Sequence, residues 1–267
     1  MTTTIDNSNQ ITDYYSFFSS TEKTRVSDGK KLSIFSNCQS ASFLLVIALP
    51  QLGDFDSLEY AWWLNKENDR LKEQNIIVKA IAIGDVASGK KFCQYTKFPE
   101  ADLFIDKNAS IHRQLGLYQG LSWSLPSFNE SQNAWLNLLL MCAGIGSKGT
   151  LKEVFRGYTG DKKAPQLLED TETIVIKPLP SVKGSLFATV GKNYQRPFEL
   201  ATLRLENMVE VLKNWGEYVP DDRYITQRGG TFLFNNEQEL IYQHFDRGIL
   251  GFAENMSNPL NFLPDFQ

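Results

Sequence analysis

The sequence predicts an α/β fold in which helices flank a mixed central sheet. An apolar run at residues 42–49, SFLLVIAL, has the length and β-branched content of a strand that is buried on both faces. An amphipathic helix follows at residues 56–74, and a second apolar run occupies residues 76–84. Strand, helix and strand of these lengths favour a right-handed βαβ unit with parallel strands.

The alternation continues for three more elements. They are a short helix at residues 88–95, a strand at residues 102–106 and a helix at residues 110–117. Residues 121–195 do not alternate, because two helices separated by the sequence GIGSKG precede an irregular stretch that contains prolines. We therefore expect a single domain over residues 1–267, with a largely helical insertion at 121–195 and an N-terminal extension at 1–25.

Regular structure returns after the insertion. Residues 197–219 have the spacing of a strong amphipathic helix. The segments TFLF, NNEQ and ELIYQHF then predict two strands joined by a tight turn. We expect these strands to form an antiparallel hairpin at one side of the sheet.

Composition excludes several classes of protein. A net charge of -4 and a pI near 5.4 lack the basic excess of a nucleic-acid-binding protein. The most apolar stretch is far shorter than the roughly 20 residues that cross a membrane, and no basic amphipathic helix is evident. The N-terminal sequence lacks the pattern of a signal peptide. We expect a cytoplasmic protein without nucleic-acid contacts or an integral membrane span.

The supply of metal-binding and nucleophilic residues is small. Three cysteines without a CxxC spacing and two histidines do not form a disulfide framework, a zinc site or a Ser-His-Asp site. The sequence GIGSKG has the form GxGxxG, but it follows a predicted helix and not a strand. We interpret it as a link between two helices, and no metal or cofactor is predicted.

Several segments, taken in order, carry a resemblance to a known family. They are FLLVIALPQLGDFDSLEYAWWL, IIVKAIAIG, ADLFIDKNASIHRQLGL and QRGGTFLFNNEQELIYQHFD. The chain resembles the peroxiredoxin-like branch of the AhpC/TSA superfamily, and within it the subgroup found in photosynthetic organisms. This resemblance implies an elaborated thioredoxin-like fold, and it associates the chain with thiol-dependent antioxidant proteins.

The stretch LGDFDSLEYA departs from the family pattern. Relatives that react with peroxides or thiols place Gly-Cys-x-x-Cys here, where a helix N-terminus stabilises the thiolate. Matching Gly53 to the glycine puts Asp54 at the first cysteine and Ser57 at the second. We interpret Asp54, Asp56 and Ser57 as capping residues; a carboxylate pair offered to a partner, substrate or cation is the alternative. Asp56 and Glu59 have capping-box spacing, which predicts that the helix begins at Asp56.

A second segment is expected beside this position. Gln227, Arg228 and Gly229 belong to the sequence QRGG, which precedes the strand where thioredoxins keep a cis-proline next to the active cysteine. The glycines suit a close approach of two backbones. Arg228 either meets a carboxylate such as Asp54 across the site or is solvated, and we favour solvation.

The three cysteines lie elsewhere. Cys142 ends an apolar helix, and we interpret it as a buried structural residue, with a relocated redox thiol as the alternative. Cys93 is expected to pack its helix against the sheet, although Lys90 and Lys91 nearby could lower its pKa. Cys38 precedes the first apolar strand and is expected to be the most exposed of the three.

Two functions from different classes remain. We favour a binding, assembly or regulatory module with protein partners, which is not a conventional peroxidase because Asp54 and Ser57 replace both cysteines. The alternative is a thiol-dependent antioxidant oxidoreductase that uses a relocated cysteine such as Cys142. A third possibility is a small-molecule site lined by Asp54, Asp56 and Arg228, which would require a closed pocket at the helix end.

Overall fold

The computed structural model describes residue 11 and residues 13–264, and its strands form a large mixed sheet and a small second sheet. The strands are β1 (Glu22–Arg25), β2 (Lys31–Ser33), β3 (Phe43–Gln51), β4 (Ile76–Ile83), β5 (Leu103–Ile105), β6 (Thr173–Ile174), β7 (Val182–Lys183), β8 (Gly230–Asn235) and β9 (Leu240–Phe245). The large sheet has the order β2-β1-β5-β4-β3-β8-β9, and β6 pairs with β7.

Helices cover both faces of the large sheet. They are α1 (Tyr14–Ser20), α2 (Phe55–Lys66), α3 (Asn68–Glu73), α4 (Val86–Thr96), α5 (Ser110–Gln114), α6 (Glu130–Cys142), α7 (Thr150–Thr159), α8 (Glu199–Lys213) and α9 (Trp215–Tyr218). Short 3-10 turns lie at Glu100–Asp102, Gly184–Val190 and Asp222–Tyr224.

The centre of the sheet is parallel and its sides are antiparallel. Strand β3 pairs with β4 in parallel, and β4 pairs in the same way with β5. On the other side of β3, strand β8 is antiparallel and leads through a hairpin to the edge strand β9. The predicted βαβ unit and the predicted hairpin are therefore confirmed. The architecture is the predicted α/β, thioredoxin-like one, a mixed sheet flanked by helices.

Alternating residues of the buried strand β3 pack into two separate hydrophobic cores. Leu45 and Ile47 belong to the larger core, which includes side chains from α2, α4 and α8. Val46 and Ala48 belong to the second core, where aromatic residues such as Phe18 pack on the opposite face of the sheet. Burial on both faces explains why this strand is a continuous apolar run.

Helix α2 begins earlier than the sequence predicts. Its N-cap is Asp54, which accepts a hydrogen bond of 2.9 Å from the backbone N–H of Asp56. The predicted start at Asp56 is wrong because Asp56 and Glu59 do not form a capping box. Both side chains are buried, and the Glu59 carboxylate accepts hydrogen bonds of 2.7 and 3.1 Å from Arg204 on α8.

The region of the expected insertion contains α6 and α7. The sequence GIGSKG joins them, as predicted, and its glycines Gly144, Gly146 and Gly149 all have positive φ angles. Such angles are easily adopted by glycine alone, which accounts for the glycine-rich composition of this link. Of the expected N-terminal extension, residues 1–10 and 12 lie outside the described residues.

Candidate functional site

The candidate site lies where β3 ends and α2 begins. A turn at Gly53 leads directly to the N-cap Asp54. A Cβ atom on Gly53 would come within 2.5 Å of the Val219 side chain, so a larger residue does not fit here without displacement. This close contact between the turn and the segment after α9 fixes the position of Asp54.

Arg228 reaches the same position from the segment before β8. Antiparallel pairing places the first residue of β8, Gly230, opposite Ala48, near the end of β3. The Arg228 guanidinium forms an ion pair with the Asp54 carboxylate through Nη2, and its Nη1 lies 3.5 Å from Oδ2 of Asp56. Its Nε and Nη2 also donate to nearby backbone carbonyls. The side chain is completely buried, so the expectation that Arg228 is solvated is wrong.

Asp56 connects α2 to the segment after β9. Both oxygens of its fully buried carboxylate accept the backbone N–H of Leu250, at 2.8 and 2.9 Å. Burial raises the pKa of Asp56 well above its usual range; the negative charge of Asp54 acts in the same direction, and Arg228 opposes both. The interpretation of Asp56 as a capping residue is therefore wrong, since its carboxylate binds a distant part of the chain and the cap of α2 is Asp54.

Asp246 is a third carboxylate at this place, and our sequence analysis missed it. Its Oδ2 accepts the backbone N–H of Gly229 at 2.9 Å, and its buried Oδ1 has no hydrogen-bond partner within the described residues. Burial raises the pKa of Asp246 to about 7, against the effect of Arg228. The hairpin register was the available signal: Gly230 pairs with Phe245, which puts Gly229 opposite Asp246.

Gly229 has no room for a side chain. A Cβ atom there would lie 2.3 Å from the carbonyl oxygen of Ala48 and 2.9 Å from Oδ2 of Asp246. The backbone of this residue therefore passes directly between β3 and the Asp246 carboxylate. The predicted close approach explains why glycine stands at this position.

Asp54, Asp56, Asp246 and Arg228 together form what we call the Asp–Arg cluster. Three carboxylates and one guanidinium would carry a net charge of -2 if all were ionised (3 × -1 and 1 × +1). Such a buried excess of negative charge is unfavourable, so it favours the protonated forms of Asp56 and Asp246. The raised pKa values of Asp56 and Asp246 express this effect.

Two polar side chains beside the cluster are also engaged in structural hydrogen bonds. The hydroxyl of Ser57 donates to the carbonyl oxygen of Gln51 at 3.0 Å, so the interpretation of Ser57 as a capping residue is wrong. The Gln227 side-chain amide donates to the carbonyl oxygens of Tyr118 and Arg228, at 3.0 Å each. Both residues are buried, so they stabilise the turns around the cluster.

Cys142 lies next to the cluster but at the protein surface. It is exposed, so the interpretation of Cys142 as a buried structural residue is wrong. The buried face of α6 is formed by Asn137 and Met141, and Cys142 follows at the helix end. Together with Gly53 and Asp54, Cys142 lines a cavity of about 50 Å³. Partial burial raises the pKa of the Cys142 thiol, and the negative charge of Asp54 adds to this effect.

The cavity between Cys142 and Asp54 is small. A volume of about 50 Å³ accommodates a few water molecules, whereas sites for small molecules usually occupy about 300–1,000 Å³. Of the three residues expected to line a small-molecule site, only Asp54 lines this cavity, and the cavity is smaller than such sites usually are. Asp54 and Asp56 instead face the buried Arg228 guanidinium, and Asp56 also binds the backbone of Leu250.

The other two thiols lie in less reactive surroundings. Cys93 is buried, as predicted, and burial raises the pKa of its thiol to about 12. Lys91, which could have lowered the pKa of Cys93, forms an ion pair with the Glu210 carboxylate at 3.2 Å. Cys38 is half-buried, so the prediction that it is the most exposed cysteine is wrong, and Cys142 is more exposed. Burial raises the pKa of the Cys38 thiol. All three thiols thus have pKa values above the usual range.

Among the described residues, no group of three or more His, Cys, Asp or Glu side chains has an arrangement that could hold a metal ion. Over the same residues, none of the helices has both the length and the apolar character required to cross a membrane.

The fold and the site define a class of protein. The chain is a thioredoxin-like α/β protein in which the helix after the first parallel strand begins with acidic residues. The family model described as AhpC/TSA antioxidant enzyme matches residues 63–187 and 161–248, and these ranges together cover more than half of the 267 residues. The chain therefore belongs to the AhpC/TSA family. No curated protein matches the chain.

The matched ranges include only part of the candidate site. Cys142 and Arg228 fall within them, whereas Asp54, Asp56 and Ser57 precede residue 63. Family membership therefore carries no information about the residues that stand at the start of α2. Their roles have to be argued from the contacts that they make.

Proposed function

We propose that this AhpC/TSA-family protein performs no thiol chemistry at the usual position of the family and acts instead by binding a protein partner. One observation carries this proposal. Asp54, at the position matched to the first cysteine, forms an ion pair with the completely buried Arg228. A carboxylate cannot replace a thiolate in this chemistry because it forms neither a sulfenic acid nor a disulfide, and here it is engaged with a buried cation.

The electrostatics of the site support the same proposal. A reactive cysteine needs a helix N-terminus or a nearby cation that lowers its pKa. Here the carboxylate of Asp54 accepts a backbone N–H at the N-terminus of α2 and forms an ion pair with the Arg228 guanidinium. The pKa of the neighbouring Cys142 thiol is raised and not lowered. Little thiolate is therefore expected at neutral pH.

The segment before α6 is the place where we expect the protein partner. Trp123, Leu125 and Phe128 are exposed there, with Trp123 exposed by 57%. Beside them lies a cleft of about 400 Å³ whose lining includes Arg223 and Gln227. Exposed tryptophan and arginine are enriched among the residues that dominate protein–protein binding.

Assignment to the subgroup of photosynthetic organisms and to the cytoplasm stays a prediction, as does the insertion at 121–195.

A thiol-dependent antioxidant activity of Cys142 is the second candidate function. Its supporting observation is that Cys142 is the exposed cysteine and shares a cavity with Asp54. In such a reaction the thiolate sulfur would attack the peroxide O–O bond, giving a sulfenic acid and releasing water from hydrogen peroxide after proton transfer. The raised pKa of Cys142 disfavours this step because the thiolate is the reactive form.

Intact-mass kinetics distinguish the two functions. The reduced protein and its Cys38→Ser, Cys93→Ser and Cys142→Ser variants are treated with hydrogen peroxide at near-stoichiometric concentration. We expect every protein to keep its reduced mass over minutes. Rapid addition of one oxygen atom that only Cys142→Ser abolishes would establish a relocated redox thiol and contradict the proposal.

The binding half of the proposal has its own test. Wild-type protein and Trp123→Ala serve as baits in affinity capture from a lysate of the source cells, with Leu186→Ala as the matched control. Leu186 is a similarly exposed apolar residue on a different segment. We expect a protein partner that is retained by the wild type and by Leu186→Ala but lost from Trp123→Ala. Equal capture by all three baits would exclude this surface.

A further inference from the structure

Helix α7 exposes most of its apolar face to solvent, and only Val154 of that face is half-buried. Leu151, Val154, Phe155 and Tyr158 follow the spacing i, i+3, i+4 and i+7, which places them on one face of a helix. In a surface helix such a face normally packs against the core. Here Phe155 is exposed by 65%, Tyr158 by 51% and Leu151 by 48%.

Polar contacts on the opposite face hold α7 in this orientation. The hydroxyl of Thr150 donates to the carbonyl oxygen of Ile249 at 2.8 Å, and both residues are buried. The buried Glu153 carboxylate lies 2.8 Å from Arg156 and 3.6 Å from Arg204. The outward direction of the apolar face is therefore fixed by specific hydrogen bonds and ion pairs.

The apolar surface extends beyond α7. Phe198, just before α8, is exposed by 57%, and its ring centroid lies 5.8 Å from that of Tyr158. We call Leu151, Phe155, Tyr158 and Phe198 the α7 patch. Beside it lies a largely apolar groove of about 380 Å³ that is lined by residues of both α7 and α8. Contiguous exposed apolar surface of this kind marks a site of interaction.

The exposed charges near this patch are positive. Lys148 and Lys152 lie at the start of α7, and Lys162 and Lys163 follow its end; all four are exposed. Within residues 144–163, neither acid is exposed: Glu153 is buried, and the half-buried Asp161 accepts a hydrogen bond of 2.6 Å from Ser257. An apolar helix face flanked by lysines thus stands out from a chain whose net charge is -4.

We propose that the α7 patch binds the surface of an anionic lipid bilayer. Apolar and aromatic side chains of an amphipathic helix enter the boundary between headgroups and acyl chains, while flanking lysines attract anionic headgroups. The four lysines supply this charge complementarity on the segment that carries the apolar face. The sequence expectation that no basic amphipathic helix is present missed α7. This inference goes beyond the proposed function and does not depend on the reactivity of Cys142.

Cosedimentation with vesicles tests the proposal. The full-length protein is mixed with large vesicles of phosphatidylcholine alone or of phosphatidylcholine with phosphatidylglycerol. We expect binding to the vesicles that contain phosphatidylglycerol to be about tenfold stronger, and to weaken with added salt. The Phe155→Ser and Lys152→Glu variants should each lose about tenfold in partitioning.

Two matched variants identify the surface. Leu186→Ser removes an apolar residue that is 62% exposed on another segment, and Lys72→Glu reverses an exposed charge on α3. Both should bind vesicles like the wild type. Circular dichroism checks that all variants are folded, which we expect because the substituted side chains are exposed.

Several results would overturn the proposal. They are no binding to the anionic vesicles, equal binding to both kinds of vesicle, or equal loss in the matched variants. Sedimentation velocity tests whether a second copy of this chain occupies the surface instead. Concentration-dependent dimers that Phe155→Ser abolishes, without vesicle binding, would assign the α7 patch to contacts between two copies of this chain. Binding of an anionic protein without vesicle binding would also contradict a lipid surface.

Discussion

Helices α2 and α4 begin in similar ways but have different surroundings. Each follows the end of a parallel strand, and each has an aspartate at its N-cap: Asp54 for α2 and Asp85 for α4. Asp85 forms a capping box, in which its side chain accepts the backbone N–H of Ser88 at 2.8 Å. Asp54 also caps its helix, but its carboxylate pairs in addition with the buried guanidinium of Arg228.

This difference shows that helix capping alone does not explain the acidic residues of α2. A capping aspartate needs only the N–H groups of its own helix. Asp54 and Asp56 instead bind Arg228, before β8, and Leu250, after β9, so that three distant parts of the chain meet. The start of α2 is thus a structural junction between three distant segments of the chain.

Substitution of Arg228 should have the largest effect. Arg228→Met leaves the buried carboxylates of the Asp–Arg cluster without a cation, and we expect a loss of about 4 kcal/mol in the free energy of unfolding. The matched variant is Arg223→Met, which removes a 58% exposed arginine paired with Asp221. An exposed pair contributes less than about 1 kcal/mol. Urea denaturation at pH 7 measures both, and equal small losses would refute the role of Arg228.

The two N-caps provide the next comparison. Asp85→Ala removes a cap and should cost about 1 kcal/mol. Asp54→Ala removes a cap and also a partner of the buried Arg228 cation, so we expect about 3 kcal/mol. Urea denaturation of both variants under one set of conditions gives the difference directly. If the two losses agreed within error, Asp54 would be an ordinary capping residue.

The pH dependence of stability should show the raised pKa of Asp246. The pKa of Asp246 is raised from its ordinary value of 3.8 to about 7 in the folded protein. The folded state then binds more protons than the unfolded state between these values, so Asp246 lowers stability as the pH rises from about 4 to about 7. Asp246→Asn removes this loss and should gain about 2 kcal/mol over the wild type at pH 8.

Asp106 is the matched control for that experiment. Burial alone would raise its pKa, but hydrogen bonds from Lys23 and the backbone N–H of Ile111 lower it. A lowered pKa means that ionised Asp106 stabilises the fold above pH 4, so Asp106→Asn should lose stability at pH 8. Thermal or urea unfolding at pH 5 and pH 8 measures both variants. If neither variant, or both variants, were more stable than the wild type at pH 8, this assignment of charges would be contradicted.

Much of the fold follows from local patterns in the sequence. The strands β3 and β4, the helix between them and the hairpin β8–β9 were predicted because apolar runs, helical spacing and turn residues are local signals. The start of α2 was misplaced by the spacing of Asp56 and Glu59, which resembles a capping box. Glu59 pairs instead with Arg204, 145 residues away, and no local pattern contains that contact.

The site was harder to predict than the fold because its contacts join distant segments. The resemblance to the family pattern singled out Asp54, Asp56 and Arg228, but the burial of Arg228 depends on the antiparallel pairing of β8 with β3. Asp246 could have been found by counting from the turn of the hairpin. The outward face of α7 had no such signal, since its apolar spacing is the one that usually marks a buried face.

A double-mutant cycle tests most directly whether Asp54 and Arg228 form a structural unit at the start of α2. Unfolding free energies are measured for the wild type, Asp54→Ala, Arg228→Met and the double variant at pH 7. We expect the double variant to lose at least about 2 kcal/mol less than the sum of the single losses, since each residue is the partner of the other. Additive losses, within about 0.5 kcal/mol, would show that the pair is not coupled and would contradict this account.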